Sequence, residues 1–176
     1  MPAYVVDIEC DGLYDEVTKI HCLSYTLLGE LNVKSLVTYD EIRHFLSQPD
    51  LLCLGHNFAV FDCSVLEKIL DSKFDYRIID TLAVSYYLHS SDGRQKHGLE
   101  QLGVELGVAK PPVVDWKNEP IEIYVHRCEE DVKINYKVYK EQQSYLRELY
   151  DGDNTKIIEL LEYLTFKFDC LKEHNE

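Results

Sequence analysis

Basic residues are scarce in this chain: 18 Lys and Arg stand against 32 Asp and Glu, a formal net charge of −14 over 176 residues. A surface of that sign does not hold duplex DNA by its own electrostatics, because phosphate neutralisation needs Lys and Arg. It leaves room for a protein that grips one nucleic-acid end through metal ions, or one that borrows basic surface from a partner. Long apolar runs are also missing. None approaches the ~20 residues of a membrane span, and the N-terminus lacks the basic, apolar, small-residue order of a secretory signal. These absences lead to the expectation of an intracellular, cytoplasmic protein with no membrane partner. Cys10, Cys22, Cys53, Cys63, Cys128 and Cys170 form no CxxC pair and mostly have apolar neighbours. That pattern suits reduced core residues better than disulfides or a zinc site.

What is present reads as one α/β domain. Strands are expected near 3–9, 19–28 and 31–37, where β-branched and aromatic residues cluster. Thr38 with Glu41 forms a capping box for a short helix ending before Pro49. LLCLGH (51–56) and RIID (77–80) are short strand-like runs, and AVFDCSVLEKIL (59–70) has helical spacing. A helix follows Asp80, SSDGRQ (90–95) is a loop, and HGLEQLGVELG (97–107) is a helix that Pro111 and Pro112 forbid from continuing. A long helix runs from Asn118–Pro120 to about Tyr150, where DGDN breaks it. A last amphipathic helix, 155–173, carries Ile157, Leu160, Leu161, Leu164, Phe168 and Leu171 on one side. The expected architecture is a mixed central sheet flanked by helices, with residues 1–150 as the domain and 151–176 as a helical appendage.

The first strand, YVVDIEC (4–10), carries an apparent contradiction: Asp7 and Glu9 lie in a run bound for the core. Side chains alternate across a strand, so the two acids share one face. They repel each other unless something positive lies between them. A divalent cation resolves both problems, and all-oxygen ligands select Mg²⁺ or Mn²⁺ over zinc. The plain alternative is a pair of acids facing water at a strand end. Two further acids stand in apolar surroundings: Asp62 in GHNFAVFDCSVL (55–66), with Asn57 ahead of it, and Asp131 on the inward side of HRCEEDVKINYKVY (126–139). Each alone could be an ordinary helix acid, and Asp80 is most simply a helix cap. Four carboxylates from one strand and two helices make an oxygen cage for two metal ions.

DIECDGLYDEVTKIHC (7–22) resembles the opening of the proofreading exonuclease domain of short-tailed-phage family A DNA polymerases, members of the DnaQ-like (DEDD) 3′→5′ exonucleases on a ribonuclease H-like fold. HNFAVFD (56–62) resembles that family's second motif, IDTLAVSYYLHS and HGLEQLGVELG follow in family order, and RCEEDV (127–132) stands where the third motif belongs. The resemblance covers residues 4 to 145. It implies that Asp7, Glu9, Asp62 and Asp131 ligate two Mg²⁺ or Mn²⁺ ions, that Asn57 orients the site, and that the chain releases nucleoside 5′-monophosphates from a single-stranded DNA 3′ end. A phage or bacterial origin is implied with it. Phe58, Phe61, Tyr14 and Tyr124 are candidates to stack terminal bases.

The match breaks at the third motif. Polymerase-linked members carry Tyr four residues before the last Asp, where this chain has Arg127; another branch carries His five before it, where His126 stands. His126 is the candidate general base on spacing, its unperturbed pKa of about 6.5 suiting that role. In an unbroken helix, however, residues five apart are rotated by roughly 140° and Arg127 shares Asp131's face instead. Either the helix starts near residue 126, or Arg127 lies over the site and pairs with Asp131 or the scissile phosphate. The C-terminal helix resembles the segment joining exonuclease to polymerase, so the chain is expected to dock on a DNA polymerase or to be a domain of a longer one. Two alternatives remain open: an exoribonuclease of the same fold, and a catalytically silent module that docks a replication partner.

Overall fold

The computed structural model describes residues 2–91, 93 and 96–173, with side chains of the last helix described to residue 167. Its element order is β1 (Ala3–Cys10), β2 (Ile20–Leu27), β3 (Lys34–Leu36), α1 (Tyr39–Leu46), β4 (Leu52–Gly55), a π-helical turn (Phe58–Asp62), α2 (Cys63–Leu70), β5 (Arg77–Asp80), α3 (Thr81–Leu88), α4 (Leu99–Glu105), α5 (Ile121–Leu149) and α6 (Asn154–Glu173). The five strands form one mixed sheet in the order β3-β2-β1-β4-β5. β2 runs antiparallel to β1 and β3, while β4 is parallel to β1 and β5. Part of the expected 90–95 loop, and the side chains of Phe168, Cys170 and Leu171, lie outside what is described.

Alternation along the strands sorts the side chains into two cores. Val6 and Ile8 of β1 and Cys53 of β4 point to one face, packing with Ile42 and Phe45 of α1 and Val65 and Leu66 of α2. Val5, Leu54 and Ile79 point to the other, meeting Val84 of α3, Val132 and Tyr139 of α5, and Ile157 and Leu161 of α6. The sheet is therefore sandwiched between helices, and Asp7 and Glu9, in phase with Val5, aim at α5. Five of the six cysteines are free, as expected of a reduced core; Cys170 is the one whose side chain is not described. The capping box forms as read, with Glu41 N–H donating to Thr38 Oγ1 at 3.3 Å and Thr38 N–H to Glu41 Oε2 at 3.2 Å.

Two features differ from the sequence expectation. The helix expected over 59–70 opens as a π turn, entered through Asn57 in the left-handed region (φ 62°), which Asn tolerates better than most residues. And α6, expected as an appendage, is built into the domain: Ile157 and Leu161 share a core with Val5, and the Asp80 amide donates to Thr165 Oγ1 at 2.9 Å. Amphipathicity showed that α6 has a face to bury, without showing against what. Among the described residues no helix is long and apolar enough to cross a membrane.

Gly55 ends β4 where Phe58 folds back over the chain, and a methyl group there would overlap the first carbons of the Phe58 side chain. The nearest of them, the Phe58 Cβ, is fixed by the backbone and cannot rotate away. Gly55→Ala should therefore destabilise the protein by about 1–3 kcal/mol, read as a lowered thermal denaturation midpoint.

Candidate active site

β4 pairs with β1 only from Ala3–Leu52 to Val5–Leu54, while β1 continues to Cys10. The divergence opens a crevice beside the carboxyl half of β1, the usual ligand position in an open α/β sheet. The π turn re-enters it and carries Asp62 back toward β1, where the Ile8 amide draws the Asp62 pKa down against the upward push of burial and Asp80. From the opposite side α5 presents one buried stripe of Tyr124, Cys128, Asp131, Val132 and Asn135. The crevice is a cleft of about 200 Å³ lined by Asp7, Glu9, His56, Asn57, Phe61, Asp62, Lys110, Arg127 and Asp131, with Ile8 and Leu99.

All four expected carboxylates reach this cleft. One oxygen each from Asp7, Glu9 and Asp131 lies within 4.8 Å of the others, and Asp62 lines the same wall. Crowding leaves a clear electrostatic signature. Asp7 is driven well above the ordinary carboxylate pKa by burial, then by Asp131, Asp62 and Glu9. Glu9 is raised to about 7 by burial and Asp131, against the pull of Arg127 and Lys110. Asp131 is raised mainly by burial. Its Oδ1 is buried without a hydrogen-bond partner. An orphaned anionic oxygen among other carboxylates wants a cation, so the donor set fits divalent ions with oxygen ligands. A thiol also attends the cluster: Cys128 Sγ donates to the Asp7 carbonyl at 3.3 Å.

The other expected residues divide. α5 is already helical from Ile121, so the phase argument decides between the two third-motif candidates. His126 is exposed and outside the cleft; its expected role as base is not supported by position, because five residues of unbroken helix turn it away from Asp131. Arg127 lies over the site instead, with Nε 3.2 Å from Glu9 Oε1, its guanidinium donating to the Pro111 carbonyl and packed 5.3 Å from the Trp116 ring centre. Phe58 is corrected as a substrate contact: it is fully buried in the core behind Gly55. Tyr124 is likewise buried, stacked on His21 at 3.7 Å. Phe61 takes the place expected of Phe58, lining the cleft and an adjoining recess of about 340 Å³ shared with Gly12, Leu13 and Trp116. Asp11 shapes that recess by accepting the Thr18 and Lys19 amides at 2.8 and 3.0 Å, tying off the loop that displays Leu13.

Two participants were not singled out from the sequence. Lys110 Nζ lies 2.5 Å from Asp131 Oδ2; in VAKPPVV it reads as an ordinary loop lysine. Trp116, the one tryptophan, gave the only compositional signal. Asp80 is the helix cap expected, accepting the Leu82 amide at 3.0 Å, but it also accepts the Asn57 and Ala59 amides at 2.9 and 3.0 Å and so clamps the turn that leads to Asp62. His56 donates or accepts at Thr81 Oγ1 across 2.9 Å, and burial pushes its pKa down to about 4, so it is neutral near pH 7.

No family model and no curated protein matches the sequence. Solved structures do match. Brucella melitensis NrnC bound to pGG superposes at a TM-score of 0.69 with 16% identity, over 96% of this chain and 85% of that one; NrnC is also known with bound Mg²⁺. E. coli exonuclease I in complex with a dT13 oligonucleotide gives 0.60 and 14% over 85% of this chain and 42% of that one. E. coli RNase D, an exoribonuclease involved in structured RNA processing, gives 0.55 and 15% over 96% and 45%. At such identities the likeness shows architecture: the chain has the ribonuclease H-like α/β fold of these nucleases.

Proposed function

We propose that this chain is a metal-dependent 3′→5′ exonuclease that hydrolyses the terminal phosphodiester of single-stranded DNA, releasing a nucleoside 5′-monophosphate and leaving a 3′-hydroxyl. The observation that carries the reading is the convergence of four carboxylates on one cleft with a buried Asp131 oxygen left unpaired. Asp7, Glu9, Asp62 and Asp131 would hold two Mg²⁺ or Mn²⁺ ions, which when bound lower the pKa of an attacking water and stabilise the leaving 3′ oxygen.

The chain's own residues supply the rest. Arg127, fixed by Glu9, the Pro111 carbonyl and the Trp116 ring, is a pre-positioned guanidinium for the scissile phosphate. Leu13, Phe61 and Trp116 offer an apolar recess beside the acids for the terminal base. Asn57, on the cleft wall and held through its amide by Asp80, orients the second motif. A proofreading role and a polymerase partner rest on the motif resemblance. The second reading, a catalytically silent docking module, draws on Lys110 and Arg127 sitting against the acids while His126 faces away.

Release of labelled mononucleotide from a 3′-labelled oligonucleotide, with and without Mg²⁺ or Mn²⁺, separates the two; parallel DNA and RNA strands give the sugar preference. No release in either metal from either strand sinks the catalytic reading. Asp7→Asn and Asp131→Ala should each lower turnover by more than about 100-fold, since even outer partners of metal ligands cost 10–100-fold, while circular dichroism stays native. Arg127→Ala should cost about 10²-fold, in the range of a lost transition-state donor, and His126→Ala less than about twofold. A loss confined to His126→Ala would restore it as the base.

The raised carboxylates also set a pH slope. Between the ordinary glutamate pKa of 4.5 and about 7, the folded chain binds more protons at Glu9 than the unfolded chain does. Stability therefore falls as pH rises through that window. Thermal midpoints of the metal-free protein should drop by several degrees across it, and saturating Mn²⁺ should flatten the slope.

A further inference from the structure

Two cations already stand inside the cleft, and they are held very differently. Arg127 is tied on three sides, to Glu9, to the Pro111 carbonyl and against the Trp116 ring. The Lys110 ammonium has Asp131 as its bonded partner among the described residues. Its stem is mostly buried, with 16% side-chain exposure against 5% for Asp131, so the ammonium enters the acid cluster rather than hanging over its rim. Its charge is felt there: it draws down the pKa values of Asp7, Glu9 and Asp131.

Asp131 thus divides its two oxygens. Oδ2 pairs with Lys110, while Oδ1 is buried and unpartnered, in a cluster where one oxygen each of Asp7, Glu9 and Asp131 lies within 4.8 Å of the others. The ammonium and the Arg127 guanidinium together under-neutralise four carboxylates, and what remains is the orphaned oxygen. A divalent ion in the same place would face the Lys110 charge at close range, and at a few ångströms in a partly desolvated site two positive centres repel strongly. The two cannot occupy the cluster together without cost.

We propose that Lys110 is a resident, exchangeable counter-ion: it stands in the acid cluster of the metal-free chain, and a divalent cation displaces it from Asp131 on loading. This rests on the metal-site reading and goes beyond it, because it assigns to Lys110 a part in metal uptake rather than in holding substrate. Lysine suits the task. Its flexible four-carbon stem lets the ammonium leave the cluster by bond rotation alone, and as a point charge it gives up no bidentate geometry on leaving. Arg127, planar and held from three directions, stays. Lys110 is a positioning residue, acting on the site through its competition for Asp131.

The test is Mn²⁺ binding by titration calorimetry to the whole chain and to Lys110→Met. Removing the competitor should tighten Mn²⁺ by about tenfold or more. Equal or weaker binding in the variant overturns the proposal, since a lysine that merely braced the loop would leave affinity unchanged or lower it when lost. Failure of the parent chain to bind Mn²⁺ removes the metal-site reading and this inference with it; Mn²⁺ binding by the parent with no tightening in the variant removes this inference alone. Should Lys110→Met not fold, the parent chain still decides. Acetylation of Lys110 by an amine-reactive ester, followed by peptide mass spectrometry, should rise severalfold on Mn²⁺ saturation as the ammonium leaves Asp131. Labelling that stays flat while Mn²⁺ binds overturns the proposal.

Discussion

The mutual repulsion of Asp7, Glu9 and Asp131 is the constraint around which the rest of the molecule is arranged. Burial and proximity both oppose the ionised state of these groups. Around them and Asp62 the fold places nearly every kind of compensation a protein can offer: a lysine, an arginine, a thiol and a backbone amide. None of these neutralises the set. A chain that crowds acids and then leaves one oxygen bare holds a standing preference for added positive charge, and the ribonuclease H-like architecture gives that preference a position at the end of a parallel strand.

Keeping the acids crowded requires a stiff frame behind them, and the frame is polar as well as apolar. Thr81 Oγ1 lies 2.6 Å from Asn135 Oδ1 and 3.1 Å from the Gly55 carbonyl, and Gln142 donates to the Thr81 carbonyl at 2.8 Å. These buried bonds join α5 to the end of β4 and the start of α3. Asp80 continues the chain of contacts to the Asn57 turn, and Thr165 secures the Asp80 amide from α6. The helix that carries Asp131 and the turn that carries Asp62 are therefore braced against each other through hydrogen bonds that would each be costly to leave unmade in the interior.

Much of this was legible in one dimension. Strand alternation put Asp7 and Glu9 on one face, and helical phase put Asp131 among Val132, Ile134 and Val138. The same phase argument stood against the spacing match that made His126 the expected base and set Arg127 beside Asp131, and the unbroken α5 agrees with the phase rather than with the spacing. What could not be read was anything decided by loops or by irregular backbone. Phe58 and Phe61 are both aromatic and three apart; only the π turn, whose wider winding departs from 3.6 residues per turn, determines that the first is buried and the second faces the cleft. Lys110 meets Asp131 across the 106–120 connection, whose path no periodicity specifies. The burial of α6 depends on a partner face that sequence pattern does not name.

The alternation of β1 has a consequence for how the sheet assembles. Val6 and Ile8 fit a greasy face packed by α1 and α2, while Asp7 and Glu9 occupy the opposite side. A slip of one residue in the pairing of Tyr4–Cys10 with Ile20–Leu27 would drive two acids into that greasy layer and turn the valine and isoleucine toward the crevice. The misaligned hairpin would be penalised as soon as α1 and α2 docked on it, because docking would bury two unpaired charges. The carboxylates that strain the finished molecule thereby act earlier as sentries of strand alignment, rejecting wrong pairings that a uniformly apolar strand would tolerate.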